Sequence, residues 1–321
     1  MTSLPKAVLY YSESNCWSDA TMIALAEKGY TSDELDKKIV DISKGENLIL
    51  PYLRINIKGT VPTLVVPFQD SLSGDVESRY KALSDPKAII DFLDEARGSV
   101  SRTRTTSTAP APALRPATVA YSAVTTALRE ILHSEEVSPD RLALLNARDE
   151  ESLKTLAITK EPILKGIQQT LVQCLADADA GTIQASEKVK SFWRQKLSDT
   201  EELLQVLQAA DKETESLNET ARKEREEFLQ KAKTIWQVTV KETCVKVNQD
   251  IIGPYVLGDQ FSVADISLGS WLRMMVQLAG ATATDDDGVQ KLEAYIGGGL
   301  SLDKLTVFWA QVKERASWKT L

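Results

Sequence analysis

Apolar positions recur with two different periods along this chain, and the change falls near residue 118. Before it, short apolar runs alternate with helical stretches. Residues 6–11 (Lys-Ala-Val-Leu-Tyr-Tyr) are short, apolar and partly β-branched, the pattern of a buried strand. Residues 12–18 form a polar turn. From Asp19 onward, Met22, Ile23, Leu25 and Ala26 line one side of a helix that stops at Gly29. Residues 35–42 supply a second strand, 48–54 a short helix, and 61–66 a third strand with Pro62 at its entrance. Proline is tolerated there because a strand's first residue has no ladder bond to lose, and a cis Val61–Pro62 peptide is compatible with the position. Residues 69–81 are polar and irregular, with room for a hairpin strand. Residues 85–96 form a helix with Ile89, Ile90, Phe92 and Leu93 as its buried stripe. The order predicts a small α/β domain over residues 1–97.

Residues 98–118 read as a linker, and residues 119–321 as an all-helical domain. One amphipathic helix covers 119–132, another lies within 139–157, and a third covers 162–177. Residues 187–251 read as one unusually long helix with Leu217, Ala221, Phe228, Ala232, Ile235 and Thr239 or Val240 on its apolar face. The mixed charges of residues 211–227 fit a solvated face. The strongest local signal is Ser262-Val263-Ala264-Asp265, an acidic capping box with Phe261 and Ile266 in the staple positions. It predicts a helix beginning at Val263, whose Ser262 cap is worth about 1 kcal/mol.

Composition narrows the chemistry. A net charge of −8 argues against nucleic-acid binding. Arg102, Arg104 and Arg115 lie in a Ser/Thr/Ala/Pro-rich stretch and fit the linker. The three cysteines, Cys16, Cys174 and Cys244, are too scattered for a disulfide framework and fit a reducing, cytoplasmic compartment. His133 is the single histidine, which excludes a two-histidine zinc site; its polar surroundings suggest an exposed helix end rather than a catalytic base. No metal site is expected. Neither a signal peptide nor an uninterrupted span of about 20 apolar residues is evident, since Asp265 and Arg273 break the nearest candidate.

Four segments, in this order, resemble the glutathione-transferase superfamily: Val8-Leu9-Tyr10-Tyr11-Ser12, Ala24-Leu25-Ala26-Glu27-Lys28-Gly29, Gly59-Thr60-Val61-Pro62-Thr63-Leu64, and Gly258 to Ile266. The likeness covers roughly residues 6–97 and 252–280. It implies a thioredoxin-like glutathione-binding domain followed by an all-α domain, here with an enlarged helical insert. The helix starting Asp85-Pro86-Lys87, together with the insert, resembles the ganglioside-induced differentiation-associated branch, without the membrane anchor usual in that branch.

The resemblance further implies glutathione as co-substrate, a small hydrophobic electrophile as its acceptor, a role in detoxification and possible homodimerisation. It places Asn15 at the position that meets the thiol, with Ser14 before it and Cys16 after it. The opening of the first helix favours an anion there. Cys16 is either a working thiol of lowered pKa or a buried bystander beside Trp17. Ser12, Thr60, Val61, Pro62, Ser84 and Asp85 complete the implied glutathione contacts. Two departures stand out. Asp85-Pro86 replaces the family's Glu/Gln-Ser, and Pro86 offers neither hydroxyl nor amide hydrogen to a carboxylate. Equally, Pro86 is a good helix-start residue that Ser84 can cap. Thr60 replaces the frequent Lys or Gln, and Ser84 or Lys87 could compensate for the losses. The alternatives to a transferase are a non-catalytic interaction protein and a Cys16-dependent thiol transferase.

Overall fold

A computed structural model describes residues 6–13, 15–67, 80–97 and 112–321. The chain forms two compact units. One comprises Met1–Ile39, Val61–Pro139 and Trp236–Leu321; the other comprises Val40–Thr60 and Asp140–Ile235.

In the first unit, β1 (Ala7–Tyr11), β2 (Leu35–Ile39), β3 (Thr63–Pro67) and β4 (Tyr80–Leu83) form one sheet in the order β2-β1-β3-β4. β1 and β2 are parallel, while β3 is antiparallel to both β1 and β4. The central strands carry the core, with Leu9 and Leu64 fully buried and paired across the ladder. The edges are blunted by lysines, Lys37 and Lys38 on β2 and Lys81 on β4, which discourage edge-to-edge pairing. β2 ends at Ile39, earlier than residue 42, and β3 begins at Thr63 rather than at 61. The hairpin strand expected within 69–81 is represented by β4; residues 68–79 lie outside the described residues, as do 98–111 of the linker.

Helix α1 (Cys16–Glu27) packs against α3 (Pro86–Ala96) and α10 (Val263–Leu278). At the end of α1, Lys28 is wholly buried and donates to Asp94 Oδ1 (2.8 Å) and to the Pro112 carbonyl (2.7 Å). Asp94 also accepts from the Leu114 and Arg115 amides at 2.9 and 3.2 Å. A buried charge is tolerable only when paired and hydrogen-bonded in this way. The pair ties α1, α3 and the chain after the linker together. α10 starts at Val263, as the capping box requires. Asp265, 1% exposed, accepts from the amides of Ser262 and Val256 and from the Ser262 hydroxyl, each at 2.7 Å. Helix α4 (Val119–Leu132) has the limits its sequence predicts and packs on α10. The unit is completed by α9 (Lys241–Asp250), α11 (Gly288–Tyr295) and α12 (Asp303–Lys313).

The helices of the second unit depart from their sequence pattern. α6 runs unbroken over Glu150–Asp179 with Pro162 inside it, rather than starting at that proline. One lost backbone bond is outweighed by the apolar face that α6 lays along α7 (Glu187–Gln208). The single helix expected over 187–251 is three. α7 stops at Gln208, a turn follows, and α8 (Glu219–Thr234) restarts on an Asn218 cap. Arg225, 3% exposed, holds that turn by donating to the carbonyls of Ala209 and Lys212. Between α8 and α9, Ile235–Val240 is a π turn, and the boundary between the units falls inside it. Short helices α2 (Leu50–Leu53) and α5 (Pro139–Leu144) complete the set. α2 belongs to this unit: Leu48, Leu50 and Leu53 share a core with Leu171, Cys174, Val189 and Trp193, and the Trp193 indole donates to the Leu48 carbonyl at 2.7 Å. Among the described residues no helix is long and apolar enough to cross a membrane.

Candidate functional site

The turn between β1 and α1 is shorter than residues 12–18, because the helix starts at Cys16 rather than near Asp19. Asn15 causes this. In an extended conformation, it is the N-cap, and its Oδ1 accepts from the Ser18 amide at 3.0 Å. Ser12 is tied to the same turn, its amide donating to Ser18 Oγ at 3.2 Å. Ser12, Asn15 and Cys16 are 4%, 2% and 1% exposed. Ser14 lies outside the described residues. All three cysteines are buried, and none is in a disulfide. Burial pushes the Cys244 thiol up to about 12 and raises that of Cys174, so neither is poised as a nucleophile.

The Val61–Pro62 peptide is cis. Tyr10 pairs with Thr63 in the antiparallel ladder, the last pair between β1 and β3. The start of β3 thus lies beside the point where β1 passes into α1. Thr60 belongs to the second unit. Its carbonyl accepts from the Tyr52 hydroxyl (2.6 Å) and Asn56 Nδ2 (2.8 Å), and its hydroxyl accepts from Asn56 Nδ2 (2.9 Å). Gly59 precedes it at φ +62°, and a Cβ there would lie 3.1 Å from the Asn47 carbonyl and 3.2 Å from Leu48. Only glycine fits that turn without strain.

At the start of α3 the cap is Asp85, not Ser84. The Asp85 carboxylate accepts from the Lys87 amide at 3.0 Å, and Pro86 occupies the first helical position. Both features reduce what α3 can offer an incoming anion. One amide hydrogen is absent, and another already serves a carboxylate.

The structure adds one residue that the sequence pattern assigned to solvent. His133 caps the C-terminus of α4 and is half-buried, its ring stacked on Trp17 with centroids 3.6 Å apart and planes at 15°. Burial first, then the charges of Arg129 and Lys87, lower its pKa to about 3, so the imidazole is neutral at physiological pH. Its polar neighbours in sequence pointed outward; only the packing of α4 against the first turn of α1 turns the ring inward. Next to the same turn, Asp19 is bound to Arg273 of α10, and burial raises its pKa against the opposing effect of that arginine.

At the opening of α1 the Ser18 amide is held by the Asn15 side chain, and a neutral imidazole lies over the first turn. Among the described residues no group of three His, Cys, Asp or Glu side chains is placed to hold a metal ion.

Solved structures that align with the chain share this architecture. The β-etherase LigF from Sphingobium sp. strain SYK-6 is 15% identical, covering 98% of each chain, with a TM-score of 0.53. A glutathione transferase homologue from Sulfitobacter, crystallised with bound glutathione, is 18% identical over 99% of this chain and 97% of its own, with a TM-score of 0.47. Gtt2 from Saccharomyces cerevisiae is 16% identical over 98% and 99%, with a TM-score of 0.47. Such identities speak to fold alone: an N-terminal α/β domain built on a mixed four-stranded sheet, with a mostly helical remainder. No family profile and no curated protein matches the sequence.

Proposed function

We propose that the protein binds glutathione at the opening of α1 and joins it through its sulfur to a small apolar electrophile. One observation carries the reading: the ladder between β1 and β3 ends at Tyr10 and Thr63, so the entrance of β3 lies beside the end of β1, where the chain passes into a helix. In this reading, the Val61 backbone pairs with the cysteinyl part of the tripeptide. The thiol loses its proton to solvent, and the helix opening stabilises the thiolate. Asn15 is the nearest amide side chain, and Ser14 the adjoining hydroxyl. The sulfur then forms a bond to the electrophilic carbon, and the leaving group departs with its electron pair. Ser12, Pro62, Ser84 and Asp85 complete the proposed contacts, in a cytoplasmic homodimer serving detoxification. Assignment to the ganglioside-induced differentiation-associated branch is part of this proposal, and rests on α3 and the inserted helices.

A specific observation favours a second reading, a non-catalytic interaction protein. The carboxylate of Asp85 and the ring of Pro86 occupy the end of α3 where a ligand carboxylate would dock. The thiol-transfer variant needs Cys16, 1% exposed, to reach a disulfide, and the conjugating variant needs Asn15, 2% exposed, to reach a thiolate, so both require the turn to open. Retention on glutathione-agarose and conjugation of a chloronitrobenzene separate these readings. Binding with turnover that survives Cys16→Ser and falls in Asn15→Ala supports the transferase. Neither binding nor turnover leaves the interaction protein, and loss of activity only in Cys16→Ser selects thiol transfer.

A further inference from the structure

The mixed charges of residues 211–227 fit a solvated face in the sequence, yet one of them is not solvated. Arg225 of α8 is 3% exposed. Its Nη atoms donate to the Ala209 and Lys212 carbonyls and to the Thr214 hydroxyl. Its Nε is buried with no hydrogen-bond partner among the described residues. All the acceptors are neutral. The carboxylate that pairs with it, Glu150, is half-exposed, holds its oxygen 3.7 Å away and accepts from the Thr214 hydroxyl with the same atom. A buried cation is costly unless a counter-ion meets it at hydrogen-bond distance, and here the countercharge is incomplete.

Arg225 lines a cleft of about 370 Å³ whose lining residues all belong to the second unit. Arg222, Leu229 and Lys233 lie on the same face of α8, because steps of three and four residues return side chains to one side of a helix. Arg148, which precedes the cap of α6, lines the cleft as well. Among the described residues, four cations (Arg148, Arg222, Arg225 and Lys233) therefore meet two carboxylates, Glu150 and Glu226. Arg222 and Lys233 are exposed and in no ion pair among the described residues. The result is a basic hollow on a chain of net charge −8. Its size is that of a small-molecule site, which spans about 300–1,000 Å³, rather than of a protein-docking surface.

The spacing of the cations sets the shape of the ligand. Arg222 and Arg225 are one turn apart, close enough to share one phosphate, whose oxygens suit the guanidinium fork. Lys233 lies about 12 Å further along the axis, at 1.5 Å per residue, beyond the reach of that phosphate. Leu229 and Gln230 line the cleft between them, an apolar patch beside an amide. We propose that the cleft binds an elongated organic ligand carrying a phosphate at each end. One phosphate sits on Arg148 and Arg222 above the buried charge of Arg225, and the other meets the Lys233 ammonium. Arg225, spent on carbonyls, contributes its field and fixes the turn. No covalent bond changes. The site is independent of the glutathione reading, since none of its residues takes part in that site.

Calorimetric titration of the full chain at low ionic strength, where charges are least screened, compares inorganic phosphate with fructose 1,6-bisphosphate. The bisphosphate should bind about tenfold tighter, the yield of one further charge-assisted contact. Arg222→Gln should weaken both ligands about tenfold, and Arg222→Lys, which keeps the charge, should recover part of the loss. Lys233→Gln should remove the advantage of the bisphosphate and leave phosphate binding unchanged. Lys223→Gln deletes the same charge outside the cleft, at a side chain 75% exposed and 3.7 Å from Glu227, and should change neither affinity by more than about twofold. Circular dichroism verifies that each variant keeps its helices. Absence of binding to wild type overturns the proposal, as does a loss in Lys223→Gln equal to that in Arg222→Gln, which would show a diffuse field without a site. Equal affinity for phosphate and bisphosphate, or a Lys233→Gln variant that keeps the difference, overturns the two-ended ligand.

Discussion

Replacing Asp265 tests how the helical core is built. Its carboxylate is 1% exposed and accepts from two backbone amides, Ser262 and Val256, and from the Ser262 hydroxyl, all at 2.7 Å. Asp265→Ala strands two buried amides at about 1–3 kcal/mol each and loses half of the capping box, for a cost of about 3–5 kcal/mol. Asp265→Asn keeps one acceptor oxygen and should cost about 1–2 kcal/mol at neutral pH. The pH dependence adds a second, independent test. Burial raises the Asp265 pKa from 3.8 to about 6, against its hydrogen bonds. A carboxyl whose folded pKa is raised contributes most below about pH 4, where both states are protonated. That contribution is lost as pH rises through about 6. A shift of about two units corresponds to about 3 kcal/mol at most, so wild type should lose stability relative to Asp265→Asn between about pH 4 and pH 6. Urea unfolding followed by circular dichroism across this range reads both effects. A cost below about 1 kcal/mol for Asp265→Ala, or parallel pH profiles for wild type and Asp265→Asn, would refute the reasoning.

Other perturbations probe the site and the second unit. Pro86→Ser restores a hydroxyl and an amide hydrogen at the start of α3, and calorimetry should show glutathione binding about three- to tenfold tighter, about one hydrogen bond's worth; unchanged affinity would place the ligand carboxylate elsewhere. Asn15→Ala removes the cap on Ser18 and should lower stability by about 1 kcal/mol in thermal melts, with or without any catalytic effect. Trp193→Phe loses the 2.7 Å bond to the Leu48 carbonyl and leaves a buried acceptor, costing about 1–3 kcal/mol. Because Leu48 belongs to the core of the second unit, the same variant should expose residues 46–53 to faster hydrogen exchange, and unaltered exchange there would contradict that assignment.

Two local features of the site were missed in the sequence reading. Asn15, three residues before Ser18, and Asp85, two before Lys87, cap their helices. The sequence reading gave the α3 cap to Ser84 and started α1 near Asp19, since the polar residues 12–18 outweighed the cap in a pattern based on apolar period. His133 was illegible for the opposite reason. A ring between polar neighbours has no local signature of burial, and only its stack on Trp17, more than a hundred residues away, gives it a site.

What the sequence by itself determined was where chain direction is set by neighbouring residues: the start of α10 at its capping box, the limits of α4, and the succession of strands and helices up to α3. Tertiary structure alone decided the rest. Pro162 stays inside α6 because packing along α7 outweighs one missing hydrogen bond. The long apolar pattern after residue 187 breaks where Arg225 supplies partners to a turn. Residues 40–60, contiguous with strands in sequence, join the helical unit through Trp193. Local bonds depend on residues a few positions apart and can be read in order; burial depends on partners that sequence order does not name.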